Sequence, residues 1–301
     1  MNATFTVQYV DAEGATSAPS NIAQATPLPG FQDNNDGTIT DLYSGLMWPK
    51  DGSGIGANNG QPLSWFEAEE FCEQLTAYGY DDWRLPNIKE LASIIKYQKS
   101  PISGAMIDDN YFQNIAAGKY WSASFEHYVW GWNLSFTRSL DFSNGFIDIE
   151  TLESTSTAPG YFLPVRGDST VIATSGFDEP PTGCSLGYQA NDIDASFIDL
   201  CSGLMWTPSF GDTTFWVDAV KKARDSTIFG HNDWRLPNIR EMLMIANNPY
   251  QGSPDLHWAI TPDYQNPSGR WVIDAGSLIY IGQTQTRPNS EFRYFRFVRD
   301  P

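Results

Sequence analysis

No stretch of the 301 residues approaches the roughly 20 consecutive apolar positions that a membrane-spanning helix needs. Cysteine and histidine are scarce, three of each, and neither a C-x-x-C pair nor a His-bearing metal spacing occurs, which argues against a zinc site. Positive charge is short as well. Lys and Arg number 18 against 36 Asp and Glu, a net charge of −18, so nucleic acid, heparin-like polyanions and anionic membranes are repelled at long range. His127, His231 and His257 occupy no matching positions, and no nucleophile turn or phosphate-cradling glycine loop appears. Abundant carboxylates alone do not reveal a glycosidase pair. The chain is therefore expected to be non-enzymatic. Residues Met1–Val7 lack the basic and apolar regions of a signal peptide, yet the wealth of Trp, Tyr, Asn, Gly and Ser is extracellular in style. A signal lying upstream is expected.

What the chain does contain is itself, twice. Asp41-Leu42-Tyr43-Ser44-Gly45-Leu46-Met47-Trp48 returns as Asp199-Leu200-Cys201-Ser202-Gly203-Leu204-Met205-Trp206, and Asp82-Trp83-Arg84-Leu85-Pro86-Asn87-Ile88-Lys89-Glu90 returns as Asp233-Trp234-Arg235-Leu236-Pro237-Asn238-Ile239-Arg240-Glu241. Each copy closes on a similar strand, Tyr161–Arg166 and Tyr294–Arg299. A repeat this long is a domain rather than a solenoid unit. The organisation expected is an N-terminal strand segment over 1–29, which weakly resembles the end of a fibronectin type III module, then repeat 1 over 30–168 and repeat 2 over 169–301. Composition allows two cores. The first block shifts by 158 residues, the second by 151 and the closing strand by 133. Repeat 1 thus has seven extra residues after Trp48, in the loop Asp51–Gly60, and 18 more before its last strand. Long surface loops on a shared frame are where recognition tends to sit, so repeat 1 is the expected recognition domain and repeat 2 a spacer.

Within a copy, Ser64-Trp65-Phe66-Glu67 has capping-box spacing, and Trp65, Ala68, Phe71, Cys72 and Leu75 share a helical face. Trp216 and Ala219 keep that register in repeat 2. Gly79 and Gly230 are expected to end the helices as left-handed C′ residues. A second helix starts after Pro86 and Pro237, again from capping boxes, with Leu91, Ile94 and Ile95 buried and Met242 and Ile245 matching. Trp130, Trp132, Leu134 and Phe136 alternate as one face of a strand, with Trp271–Ile273 and Leu278–Ile281 as equivalents. Arg287, Arg293, Arg296 and Arg299 are expected along a solvent-facing strand. The fold class expected is α+β, two helices and a small twisted antiparallel sheet per domain.

The tryptophan-rich blocks read as architecture: Trp83 and Trp234 fill core, and Arg84 and Arg235 lock Asp82 and Asp233 or nearby carbonyls. For ligand binding, Tyr97, His127 and Tyr128 are the stacking candidates, with Asp141 and Asn144 as polar partners. Asp33, Asn35, Asp36 and Asp41 are oxygen ligands in a calcium-like run. Gly37 falls out of EF-hand register, and the alternative is a hairpin turned by Asp36-Gly37. Asp108, Asp109, Asp148 and Glu150 are further acidic loop residues. Cys184 and Cys201 stand 17 apart and are expected to form a disulfide, a closure worth about 3 kcal/mol. Cys72, replaced by Ala223 in repeat 2, is left as a buried free thiol.

Asp36-Gly37-Thr38-Ile39-Thr40-Asp41, Ser44-Gly45-Leu46-Met47-Trp48, the helix with Cys72, Asp82-Trp83-Arg84-Leu85-Pro86, Tyr120-Trp121-Ser122 and Val165-Arg166-Gly167 together resemble the DUF1566 family. This is the type of domain found at the C-terminus of the Legionella collagen-like adhesin, and two copies would span residues 31–167 and about 184–300. The resemblance implies a C-type-lectin-like fold, an extracellular or cell-surface location, and adhesion without catalysis. It also implies calcium, as lectins of this fold use. Family members often pair the helix cysteine with one before the closing Val-Arg; Pro164 stands there in this chain. The adhesin's sulfated ligands fit poorly with a charge of −18. The partner expected is a glycan or glycoprotein, without membrane insertion. The alternative is a structural subunit of a surface fibre, joined to neighbouring subunits through the Phe5–Val10 strand. A variable ligand-binding protein of the diversity-generating type ranks below both.

Overall fold

The structure, a computed structural model, describes residues 30–97, 99, 104–128, 134–151, 158–167, 188–190, 196–200, 203–245, 256–262, 268–274, 284–288 and 290–300, together with the backbone of 3–5 and 23–25. Strands β1 (Ala3–Phe5) and β2 (Ala23–Ala25) pair antiparallel in a separate two-stranded piece. Each repeat then has two small antiparallel sheets and two helices. In repeat 1, β3 (Phe31–Asp33), β4 (Thr38–Asp41) and β5 (Met47–Pro49) form the first sheet. Helices α1 (Trp65–Gln74) and α2 (Ile88–Ser93) follow. The meander β6 (Lys119–Tyr128), β7 (Leu134–Asp141) and β8 (Phe146–Thr151) is the second sheet. Repeat 2 has β9 (Tyr188–Ala190), β10 (Phe197–Asp199) and β11 (Met205–Trp206), then α3 (Trp216–Arg224) and α4 (Ile239–Met244). Its meander is β12 (Leu256–Pro262), β13 (Gly269–Asp274) and β14 (Thr284–Pro288), and β15 (Val298–Arg299) returns to β11.

The closing segment clasps each repeat. In repeat 1 it bridges Gly160 to Leu63, Tyr161 to Tyr120, Val165 to Arg84 and Arg166 to Met47; in repeat 2, Arg293 to Thr214, Tyr294 to His257, Val298 to Arg235 and Arg299 to Met205. One short strand thus ties together the lead-in to the first helix, the first meander strand, the Trp-Arg-Leu-Pro turn and the first sheet. Arg296 lies on this clasp and is fully buried, so the C-terminal arginines do not alternate along a solvent-facing strand. Arg293 pairs with Glu291, and Arg299 with Asp233 at 2.9 Å.

Three tryptophans per repeat spend their indole N–H on backbone carbonyls at the same places. Trp65 donates to Ser122 O at 2.8 Å and Trp216 to Ala259 O at 2.9 Å. Trp121 donates to Leu63 O and Trp258 to Thr214 O, both at 2.9 Å. Trp83 donates to Ala77 O at 3.1 Å and Trp234 to Ile228 O at 3.0 Å. Those last carbonyls belong to tight turns, Ala77–Tyr80 and Ile228–His231, whose central residues are left-handed: Tyr78 and Gly79 at φ 57° and 85°, Phe229 and Gly230 at φ 57° and 78°. The two glycines therefore do not cap the first helix, which already ends at Gln74 in repeat 1 and Arg224 in repeat 2. They close the turn on which the signature tryptophan rests.

Arg84 and Arg235 take a partner other than the adjacent aspartate. Arg84 grips Glu90 with two N–H groups at 2.8 and 2.7 Å, and Arg235 grips Glu241 with two at 2.8 Å. The same glutamates accept from the N-cap amides of α2 and α4, Asn87 N at 2.9 Å and Asn238 N at 2.8 Å, and each asparagine side chain returns a bond, accepting from Glu90 N or Glu241 N. Asp82 and Asp233 are held instead by the closing arginines, Arg166 at 2.6 Å and Arg299 at 2.9 Å. Those guanidinium bonds keep both carboxyls below the usual carboxylate range. Glu90 has no solvent exposure and Arg84 little. Arg84→Met leaves that carboxylate buried without its cation and is expected to cost about 3 kcal/mol. Arg235→Met, on a pair open to water, costs less, and urea unfolding of both variants checks the order.

The helical faces pack as the sequence predicts, with Trp65, Ala68, Cys72, Leu91, Ile94, Ile95, Met242 and Ile245 buried. Cys72 is a free buried thiol, and burial holds it protonated by pushing its pKa well up. The Cys184–Cys201 pairing lies outside the described residues, as do Trp130, Trp132, Leu278–Ile281 and Thr6–Val10. Two separate cores do not form. One cluster runs from Ile39, Trp48 and Leu91 in repeat 1 to Trp206, Met242, Trp271 and Val298 in repeat 2, while Trp65 and Trp234 head smaller satellites, one per repeat. Helix α2 faces α4 across this seam. The Arg240 guanidinium donates to Ile95 O. Burial, followed by the charges of Asp199 and Glu241 across the seam and of Asp41, raises the Tyr43 phenol.

Candidate functional site

The two insertions that only repeat 1 carries meet in space. After β5, Lys50 O accepts from Gln113 N at 2.8 Å, and Gly52 N donates to Gln113 O at 2.9 Å. Asp51 Oδ1 accepts from Asn114 Nδ2 at 3.0 Å and from both Ser53 N and Ser53 Oγ at 2.8 Å. Burial raises the Asp51 carboxyl, and these bonds together outweigh it, leaving the pKa lowered. A Cβ at Gly52 would stand 2.8 Å from Asn114 O, so only glycine lets the second loop approach this closely. Beyond it, Asn58 and Asn59 are left-handed, at φ 49° and 54°, and Gly60 follows at 75°. Tyr78 covers the inner side of the loop, where a Cβ on Gly37 or Gly56 would strike its ring at 2.6 or 2.8 Å. The outer side presents Ser53, Asn59, Gln61, Asn110, Gln113 and Asn114 to solvent, with Ile55 60% exposed among them. These exposed side chains are uncharged and rich in amides. Asp108 and Asp109 beside it are paired with Lys96 and Lys99, at 3.1 and 2.6 Å.

The residues singled out from sequence fall elsewhere. Tyr97 is in the seam, 2% exposed, with its ring 5.0 Å from that of Trp271; a fully packed ring offers no face to a sugar. His127 and Tyr128 lie on β6, near its junction with β7. Asp141 and Asn144 build the β7–β8 turn: Asp141 accepts from Ser143 N at 2.7 Å and Asn144 Nδ2 at 3.2 Å, and Asn144 Oδ1 accepts from Phe146 N at 2.8 Å. Gly145, at φ 76°, completes it. The same Asp-x-x-x-Gly turn is made by Asp41–Gly45 and Asp199–Gly203, whose glycine amides donate to Asp41 O at 2.8 Å and Asp199 O at 2.7 Å. Spacing carried the signal: Asp141-Phe142-Ser143-Asn144-Gly145 shares with those two turns an aspartate four residues before a glycine.

The calcium-like run is a hairpin. Asp33 accepts from Asn35 N at 2.9 Å and pairs with Lys50 at 2.5 Å, and Asp36 accepts from Thr38 N at 2.9 Å. Asp41 sits opposite Phe31, at the far end of the β3–β4 ladder from Asp33, and accepts from Ser44 Oγ at 2.6 Å. Glu150 pairs with Lys119 at 2.6 Å. Among the described residues no group of three or more His, Cys, Asp or Glu is arranged to hold a metal ion, and no helix is long and apolar enough to cross a membrane.

Frame and loops define a class: a tandem α+β module whose duplicated scaffold carries one elaborated loop edge. The Lcl C-terminal domain family, formerly DUF1566, matches residues 37–166 and again 196–299, and the chain belongs to it. Nothing in that match points to an enzyme family. No curated protein matches the chain. The two matched regions include both Trp-Arg-Leu-Pro turns and end at the clasp arginines, Arg166 and Arg299. Gly52→Ala tests the joined loops. It is expected to part Gly52 from Asn114 and cost about 1–3 kcal/mol, read as a lower urea midpoint, while the equivalent region of repeat 2 is untouched.

Proposed function

We propose that the chain is a non-enzymatic binding or adhesion module of the cell surface, lectin-like in fold, which recognises a glycan or glycoprotein through the joined loops of repeat 1. The observation that carries this reading is the meeting of the Asp51–Gly60 and Asp108–Asn114 loops. The exposed amides of Asn59, Gln61 and Gln113 supply both donors and acceptors, as a sugar hydroxyl requires. Ile55 adds an apolar contact of the kind binding sites combine with a few placed polar groups. A net charge of −18 favours uncharged sugars over sulfated ones. Membership of the Lcl C-terminal domain family supports the surface location and the adhesive role. Calcium remains the ion to test. The pairing of Asp33, Asp108, Asp109 and Glu150 with lysines favours recognition without it.

The fibre reading is the alternative: Ala3–Phe5 has Ala23–Ala25 of its own chain on one edge, and Thr6–Val10 lies outside the described residues. A glycan array probed with the whole chain, in calcium and in chelator, tests the proposal. Related neutral glycans are expected in both conditions, and Asn59→Ala/Gln113→Ala should weaken them at least about tenfold, the worth of one or two lost hydrogen bonds. A blank array on folded protein contradicts glycan recognition and moves the search to protein partners. Loss of binding in chelator brings calcium into the site.

A further inference from the structure

Repeat 2 does more than space the module. The second insertion of repeat 1 starts in the seam. Lys96 N donates to Met106 O and Met106 N to Phe142 O, both at 2.7 Å, which staples Ala105–Ile107 between the end of α2 and the β7–β8 turn. The side chains meeting there come from both repeats. Trp271, on β13 of repeat 2, stands edge-on to Tyr97 at 5.0 Å and to Phe146 at 5.4 Å. All converge on Gly145: a Cβ there would lie 3.1 Å from Trp271 Cη2, 3.2 Å from Tyr97 Cε1 and 3.4 Å from Met106 Cε. From the other side, Arg240 of α4 holds Ile95 O at the end of α2. Between Met106 and the contact of Gln113 with Lys50 and Gly52 lie only six residues. They are wound into a turn by Tyr111 N and Phe112 N, both donating to Asp108 O at 3.0 Å.

We propose that repeat 2 is the footing of the repeat 1 loop edge, with Trp271 as the positioning residue that fixes Met106 and, through it, Asp108–Asn114. The functional weight of this rests on the reading that those loops are the recognition surface; the mechanical coupling does not. Interiors are packed closely enough that removing one side of such a contact is felt by its neighbours. Local opening should follow, since a loop's protection reflects the contacts beneath it.

The test is amide hydrogen exchange on the full chain, without ligand. In Trp271→Ala, the amides of Met106, Gln113 and Gly52 are expected to exchange at least about tenfold faster relative to Arg84 and Arg235, whose amides are bonded to the clasp carbonyls and report opening of the whole body. Trp271→Phe keeps an aromatic ring in the seam and should restore most of the loss. If the alanine variant does not fold, Trp271→Leu, which keeps an apolar side chain but not the ring, decides in its place, by the same excess of exchange at Met106 over Arg84 and Arg235. Parent-like protection over 105–113 in the folded alanine or leucine variant overturns the proposal, as does a loss there no greater than the loss at Arg84 and Arg235. Phe215→Ser, on the exposed face of repeat 2, should leave the loops unchanged. A blank glycan array would remove the recognition reading and leave this result standing.

Discussion

One glutamate governs each repeat, fully buried in the first and partly buried in the second. Glu90 and Glu241 each accept two bonds from an arginine and one from the backbone at the start of the second helix. A carboxylate without water costs several kcal/mol unless its lone pairs are filled, so the arginine has little choice of position. Arg84 in turn reaches Gly167 O at 2.9 Å, and Arg235 reaches Asp300 at 3.0 Å, just past each clasp. Helix start, Trp-Arg-Leu-Pro turn and closing strand are thereby set by one ionised group. The tryptophans then fill the volume around that skeleton and satisfy carbonyls that the irregular lead-in segments leave open.

Duplication has kept this skeleton and relaxed what surrounds it. Asp82–Arg166 and Asp233–Arg299, the three indole bonds and the left-handed turn recur position for position. The loops do not. Where repeat 1 has Asp51 binding Ser53 and Asn114, repeat 2 has Ser209, whose hydroxyl lies 2.7 Å from Nε2 of the buried His257. The same corner of the frame is thus tied to a long loop in one copy and to the interior in the other. The seam makes this division of labour workable: the undecorated copy presents Trp271 and Arg240 to the decorated one.

Elements whose cause is local were legible in the sequence. Capping boxes at Ser64, Asn87 and Asn238 and the buried stripes of the helices depend on residues within a turn or two, and periodicity reports those. Of the partners expected for Arg84, the carbonyls are found, at Leu85 and Gly167, while Asp82 gives way to Glu90 because the choice between an aspartate two residues away and a glutamate six residues away is made by the fold. Gly79 was read as a helix cap since its left-handed backbone serves a cap and a tight turn equally well. Tyr97 could not be told from an exposed stacking ring by sequence, because the groups that cover it, Gly145 of its own repeat and Trp271 of the other, are far along the chain. Asp141 and Asn144 were singled out as polar ligands, and their turn-building role shows in the Asp-to-Gly spacing they share with Asp41–Gly45. The loop edge was visible as two insertions, but their contact through Gly52 and Gln113 was not, being 61 residues apart in sequence.

The central claim is that the tandem is one cooperative body with a shared core rather than two domains in series. Hydrogen exchange followed through a urea titration of the whole chain tests it most directly, by comparing the backbone amides of Arg84 in repeat 1 and Arg235 in repeat 2, each bonded to its clasp carbonyl at 2.9 and 3.0 Å. The shared core predicts that both open with the same free energy and the same dependence on denaturant. Loss of protection at Arg235 at a concentration where Arg84 stays closed would contradict it, and would return the chain to two independent domains.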